Sequence, residues 1–335
     1  MESKIMKSID GLFGEITCIK GYTAEGVGGI FKAKWDRFDK PVAIGLDASR
    51  FDQHCSQSAL KYEHGFYRGL FPGQRELNQL LDWQLVNRGV GYVPDGAIKY
   101  VKSGCRMSGD INTSLGNYIL MCAMCYGFMK SLNIEKYSLA NCGDDCVIIV
   151  ERRHLSNIQS SLDSYFLNKG FTMKMEEPVY KLEEVEFCQA HPVETQVGWK
   201  MVRNLRVAMS KDIHCVNNIK DVETRKAWST AQHLGGRALA SGVPVVDVFY
   251  SRFMKYDVKK RHQRVESVGS LYKWRGSGLI AEVTPQARAS FWQAFKLNGD
   301  EQSALEDRLG RWTMDLLGPV GVDYHEPSIL DHSAS

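Results

Sequence analysis

A chain of 335 residues can bury one large core or two to three subdomains, and 44% hydrophobic with 24% charged residues excludes a disordered or low-complexity polypeptide. The net charge of +3 is too small to argue for nucleic-acid binding by itself, so any such reading must rest on local clusters. Nine cysteines, odd in number and irregularly spaced, exclude the disulfide framework of a small secreted domain and fit reduced thiols in a cytosolic compartment.

At the start of the chain Glu2, Lys4, Lys7 and Asp10 interrupt any apolar stretch, so a signal peptide is not expected. The run Gly26-Val27-Gly28-Gly29 lacks the lysine and serine of a phosphate-binding loop and is expected to form a turn. After Pro41 the apolar residues Val42 to Leu46 predict a short strand with Asp47 at its end. Asp52 follows five residues later, where the chain turns into a helix carrying Ala59, Leu60, Phe66 and Tyr67. Residues 74–88 read as an amphipathic helix through Leu77, Leu80, Leu81 and Leu85, with Gly89 as its stop signal. Val90 to Val93, Pro94-Asp95-Gly96 and Ile98 to Val101 then predict a hairpin.

Ser108 to Asn117 reads as a glycine-containing loop opening a long helix from Thr113 to Met129. Thr113 and Asn117 are four apart, share a helix face and are expected to point at one cleft. The stretch 111–129 has no formal charge, but Asn112, Thr113, Ser114, Gly116 and Asn117 are costly in lipid, so it reads as a buried core helix, not a membrane span. Cys122 and Cys125 lie inside that helix without a second ligand pair and are expected to pack in the core instead of holding zinc. Leu139-Ala140 and Cys146 to Val150 predict two strands, which sets Gly143-Asp144-Asp145 at a hairpin tip. Adjacent carboxylates at the edge of an apolar strand repel one another unless a cation joins them, and two strand ends can bring Asp47 beside Asp144.

Further along, Leu155, Ile158, Leu162, Tyr165 and Phe166 keep helical spacing to Gly170, and Phe171 to Met175 alternates as a strand. Val185 to Gln189 and Trp199 to Val202 read as the two strands of a hairpin. From about residue 208 the chain turns mostly helical, with Trp228, Leu234, Leu239, Phe249, Phe253, Phe291, Trp292 and Phe295 available as a core. Lys255, Lys259, Lys260, Arg261 and Arg264 enclose Tyr256 in a basic run that either grips phosphate or forms a solvated helix face. Residues 318–335 are expected to be loosely ordered.

Three strings in this order resemble one family. Gly45 to His54, the pattern Ser108-Gly109 through Thr113 to Asn117, and Gly143-Asp144-Asp145 are similar to motifs A, B and C of viral RNA-dependent RNA polymerases. The fuller strings, including Asn141-Cys142-Gly143-Asp144-Asp145-Cys146, most resemble the Tombusviridae, with their carmovirus-like and umbravirus-like members. A lone Gly-Asp-Asp is a weak signal; three ordered motifs are a strong one.

The resemblance implies an α+β right-hand polymerase fold: a palm built on an antiparallel sheet, partial fingers and a mostly helical thumb. The implied boundaries are an N-terminal fingers segment at 1–40, palm at 41–73, a fingers insert at 74–103, palm at 104–207, thumb at 208–317 and a tail at 318–335. It implies template-directed transfer of ribonucleoside monophosphates to an RNA 3′-hydroxyl with two Mg²⁺ ions, for which Mn²⁺ can substitute. Asp47 and Asp144, with the carbonyl of Ala48, are the implied metal ligands, and Asp145 either joins the ligand set or sits behind it. Lys174, in the position of motif D, is the implied proton donor to pyrophosphate. Asp52, Ser108, Gly109, Thr113 and Asn117 are implied around the ribose and triphosphate, and Phe187-Cys188-Gln189 resembles motif E, which supports the nascent strand. Partners implied are template and nascent RNA, nucleoside triphosphates and a membrane-associated viral replication protein, at membrane-bound complexes in the host cytoplasm.

No basic cluster among residues 1–46 matches the family's motif F, so the chain reads as the C-terminal portion of a longer polymerase. A reverse transcriptase shares the palm aspartates, but Asp52 with Asn117 suits a ribose 2′-hydroxyl where a DNA-making enzyme needs a steric gate. A non-catalytic RNA-binding subunit with a polymerase-like palm is the other alternative; intact Asp47, Asp144 and Asp145 speak against it, and the missing fingers speak for it.

Overall fold

A computed structural model describes residues 2–214, 222–256 and 280–312. In chain order, α1 (Glu2–Phe13) and α2 (Ala24–Trp35) precede β1 (Pro41–Ala48). Then come α3 (Phe51–His54), α4 (Gln57–Leu70), α5 (Arg75–Trp83), β2 (Val86–Val93) and β3 (Gly96–Ser103). α6 (Thr113–Ser131), β4 (Tyr137–Cys142), β5 (Asp145–Glu151), α7 (Leu155–Asn168) and β6 (Met173–Met175) follow. The remainder holds β7 (Ala190–Thr195), β8 (Gly198–Arg203), α8 (Leu205–Lys211), α9 (Val222–Ala240), α10 (Val246–Ser251), α11 (Pro285–Phe295) and α12 (Gly299–Gly310). The result is a mixed fold with antiparallel sheets, and it divides into two compact units, one from residues 1–20 and 34–180 and the other from 21–33 and 181 onward.

The first unit is built on a four-stranded antiparallel sheet of order β4-β5-β1-β6. Val42, Ile44, Leu46, Ile148 and Val150 are at most 2% exposed and share one core with Tyr118, Phe128 and Met129 of α6 and Phe166 of α7. α6 is buried nearly all round, which explains its uniformly apolar sequence. Each large side chain so buried contributes about 1.5–3 kcal/mol. Among the described residues no helix is long and apolar enough to cross a membrane.

Gly89 does not stop a helix. α5 ends at Trp83 and Gly89 lies within β2, opposite Tyr100 of β3. A Cβ at Gly89 would meet the Tyr100 ring at 2.1 Å, so the glycine makes room for a cross-strand aromatic. Asn87 anchors the base of this hairpin, its Nδ2 donating to the carbonyls of Gln84 (3.2 Å), Gly104 (3.1 Å) and Cys105 (3.2 Å).

In the second unit the expected turn at Gly26 to Gly29 is instead part of α2. Gly28 faces β8 so closely that a Cβ would lie 2.5 Å from the Trp199 backbone, so its role is close packing and not a change of chain direction. The expected strand Val185 to Gln189 is also displaced. Cys188 (φ 50°) and Gln189 (φ 59°) are both left-handed and form a two-residue turn closed by mutual hydrogen bonds between Phe187 and Ala190 (2.9 and 3.0 Å). The first strand of the hairpin is therefore β7, paired with β8 from Ala190↔Arg203 to Thr195↔Gly198. Val193, Val202, Trp228, Phe249, Phe253 and Phe291 form the core of this unit, with Leu239 and Phe295 partly buried against it. Leu234 (42% exposed) and Trp292 (49%) face outward, contrary to expectation, because they lie on the outer sides of α9 and α11. Lys259, Lys260, Arg261, Arg264 and residues 318–335 fall outside the described residues.

Candidate active site

The first acidic group is set by strand register. Leu46 of β1 pairs with Cys146 of β5, and the next residues along the two strands are Asp47 and Asp145. On the other side of β1, Asp47 pairs with Lys174 of β6. Directly opposed residues point to the same face of a sheet, so Asp47 carries a neighbouring cation. β4 and β5 are joined by the two-residue turn Gly143-Asp144 closed by the pair Cys142↔Asp145. Gly143 has φ 92°, which glycine adopts without strain.

The turn is held from behind by Asn141. Its buried Oδ1 accepts the Gly143 N–H at 2.8 Å. Its backbone is bracketed on the outer side of β4, where Asn141 N–H donates to Thr17 O (2.9 Å) and Ile19 N–H donates to Asn141 O (3.0 Å). Asp10 Oδ1 fixes that bracket by accepting from the N–H groups of Thr17 and Cys18, each at 2.8 Å. The short ladder from Thr17 to Ile19 was not foreseen in the sequence.

Asp47, Asp144, Asp145 and Lys174 are all exposed. Partial loss of water around Asp144 raises its carboxyl above the usual aspartate range, and the negative charges of Asp145, Asp52 and Asp47 push it in the same direction. Among the described residues no three His, Cys, Asp or Glu side chains converge into a ready-made metal cage. Cys122 and Cys125 are buried in α6, and the Cys125 Sγ lies 3.8 Å from the Cys146 Sγ, so these thiols pack the core behind the turn.

The second group converges on Asp52. α3 is a single turn entered through left-handed Arg50 (φ 49°), and it half-buries Asp52. Asn117 of α6 donates from Nδ2 to Asp52 Oδ1 at 2.9 Å, and the Ser108 hydroxyl donates to Oδ2. The reverse amide orientation would set Asn117 Oδ1 against a carboxylate, so Nδ2 faces Asp52. That leaves Asn117 Oδ1 buried without a hydrogen-bond partner. Thr113, expected on the same face, turns its hydroxyl back into the loop, donating to Asp110 O at 2.7 Å. Gly109 (φ 107°) is exposed at the bend of that loop.

Sequence reasoning missed Glu63 and Arg106, a fully buried ion pair behind Asp52. The signal was present: the buried face of α4 is Leu60, Glu63, His64 and Tyr67, so Glu63 occupies a position of the apolar stripe. In the second unit Phe187 is buried with its ring 5.2 Å from Phe31, while Cys188 is half-buried and Gln189 exposed at the tight turn. Of the basic run, Tyr256 is tied by its N–H to Thr230 Oγ1 at 3.0 Å.

A family model described as viral RNA dependent RNA polymerase matches residues 1–317. Over all 335 residues the chain is 70% identical to the RNA-directed RNA polymerase of Cucumber necrosis virus and 69% identical to that of Tomato bushy stunt virus (strain Cherry), covering 41% of each. It is 40% identical over 327 aligned positions to the RNA-directed RNA polymerase of Carnation mottle virus, covering 95% of this chain and 42% of that protein. The chain thus spans about two-fifths of the length of the curated relatives it matches.

Proposed function

Because the chain belongs to the viral RNA-dependent RNA polymerase family, we propose that it carries the catalytic centre for template-directed addition of ribonucleotides to an RNA 3′-hydroxyl. The observation that carries this reading is the meeting of Asp47 and the Asp144-Asp145 turn at the ends of neighbouring strands, with Asp144 held above its ordinary pKa by partial loss of water and, after that, by the surrounding carboxylates. Under this reading the β4-β5-β1-β6 sheet is the palm, α5 with the β2–β3 hairpin belongs to the fingers, and the helices after β8 are the thumb.

The donor set suits divalent cations. Mg²⁺ sites are commonly completed by one or two carboxylates together with substrate phosphates and water, so a closed protein cage is not required. Asp47 and Asp144 would hold two Mg²⁺ ions, or Mn²⁺ in their place, with Asp145 and the Ala48 carbonyl alongside. When bound, such ions acidify the attacking hydroxyl and neutralise triphosphate charge. The protein's own groups do the rest. Lys174 would give a proton to departing pyrophosphate, a role supported by its pairing with Asp47 across the ladder. Asp52 with its partners Ser108 and Asn117 forms the ribose-facing wall, and the unpartnered Asn117 Oδ1 is an acceptor that a 2′-hydroxyl can satisfy. Gly109 and Thr113 shape the loop beneath it, and Phe187-Cys188-Gln189 supports the nascent strand.

The proposed partners are template and nascent RNA and ribonucleoside triphosphates. A membrane-associated viral replication protein in host cytoplasmic complexes is proposed on the family resemblance alone.

Asp144→Ala tests the reading in the full-length polymerase. Nucleotide incorporation is expected to vanish while RNA binding persists, because the change removes a metal ligand and leaves basic surfaces intact. Near-normal elongation by this variant would sink the assignment.

A further inference from the structure

Behind the Asp52 group lies a polar hub that the chemistry above does not use. Glu63 of α4 and Arg106 of the loop before α6 are joined by guanidinium–carboxylate contacts with side chains 0% and 1% exposed. Glu63 Oε1 also accepts from the Tyr67 hydroxyl (2.8 Å) and from Asn112 Nδ2 (3.0 Å). A buried ion pair generally adds little stability over apolar side chains of the same volume, so its presence here calls for a geometric reason.

That reason lies in what the pair is attached to. The Arg106 N–H donates to Asp52 O at 2.8 Å, and the neighbouring Cys105 N–H donates to Cys55 O at 2.7 Å. Two residues beyond Arg106, Ser108 holds the Asp52 carboxylate. On the helix side, Gly116 precedes Asn117 and approaches the pair so closely that a Cβ would lie 2.3 Å from Glu63 Oε1 and 2.4 Å from Arg106 Nη2. The hub therefore fixes both donors to Asp52, Ser108 through the loop and Asn117 through the first turn of α6.

We infer that the Glu63–Arg106 pair is a positioning device for sugar selection, setting Ser108 and Asn117 on Asp52 so that a ribose and not a deoxyribose satisfies the site. This rests on the reading of Asp52 as the ribose-facing group. Neither Glu63 nor Arg106 touches the substrate; a shift of either moves the donors that do.

The experiment compares kcat/KM for a ribonucleotide and its 2′-deoxy analogue in the full-length polymerase. Glu63→Gln, Arg106→Lys and Gly116→Ala are each expected to narrow the ratio by about three- to ten-fold, the scale of one disturbed hydrogen bond. Asp52→Ala narrows it too, and adding Glu63→Gln to Asp52→Ala narrows it no further, since both act on one contact. A merely structural pair would lower the amount of active enzyme and both substrates equally, leaving the ratio unchanged. If the Asp52→Ala ratio narrows while the three hub variants keep the wild-type ratio, the inference fails and the ribose reading stands. If Asp52→Ala itself leaves the ratio unchanged, both fall together. Should the hub variants not fold, Tyr67→Phe removes one donor to Glu63 and keeps the ring in place; its ratio narrows if the inference holds and stays at the wild-type value if it does not.

Discussion

Two acidic sites in the same unit treat charge in opposite ways. Glu63 is fully buried yet compensated from three directions by Arg106, Tyr67 and Asn112. Asp144 has an exposed side chain, yet partial loss of water and the like charges around it raise its pKa. A buried carboxylate with both oxygens hydrogen-bonded is framework. An accessible carboxylate set against other carboxylates costs stability without return until something positive arrives, and that is where binding and chemistry belong.

The largest effect should come from breaking the compensated site. Arg106→Met leaves Glu63 buried without its partner and is expected to destabilise the unit by about 3–5 kcal/mol, whereas Asp144→Ala is expected to change stability by less than about 1 kcal/mol. Thermal unfolding of the two variants side by side decides; equal losses would erase the distinction. A middle-sized effect is expected at Asn141, a buried polar side chain that braces the exposed Asp144 turn. Asn141→Ala leaves the Gly143 N–H without its acceptor at a cost of about 1–3 kcal/mol, and single-turnover incorporation should slow because the Asp144 turn loses its brace. Unchanged rates would mean that the turn is set by its backbone alone.

The smallest effect concerns pH. Because its pKa is raised in the fold, Asp144 holds its proton more tightly there than in the unfolded chain. Its contribution to stability therefore falls as pH rises from the ordinary aspartate range through the raised value. Asp144→Asn removes that loss, so the variant should unfold at a slightly higher temperature at neutral pH, and the gap should close on acidification below the ordinary aspartate range. A variant less stable than wild type at neutral pH would show that the Asp144 carboxylate is favourably paired.

The Asp144 side of this contrast was legible in the sequence and the Glu63 side was not. Gly143-Asp144-Asp145 between two apolar strands and Asp47 after Val42 to Leu46 are local patterns, and the β4–β5 and β1–β5 pairings realise them directly. Glu63 and Arg106 are 43 residues apart and pair only in three dimensions. The other misses share that origin. Gly28 reads as a turn until β8 is seen to press against it, and Gly89 reads as a helix stop until Tyr100 is found lying over it. Residues 185–189 read as a strand because Val185 and Phe187 alternate, but two left-handed residues at 188 and 189 turn the chain first. Pro192 and the polar neighbours hid the actual strand, Ala190–Thr195.

The central claim, that the exposed carboxylates exist to hold divalent cations, is tested most directly by the Mg²⁺ dependence of single-nucleotide incorporation in full-length wild-type polymerase and its Asp47→Asn variant. The account predicts a saturable Mg²⁺ profile in the wild type and, in the variant, a midpoint shifted to much higher Mg²⁺ or activity lost altogether, with RNA affinity unchanged. The same midpoint and rate in both proteins would contradict it.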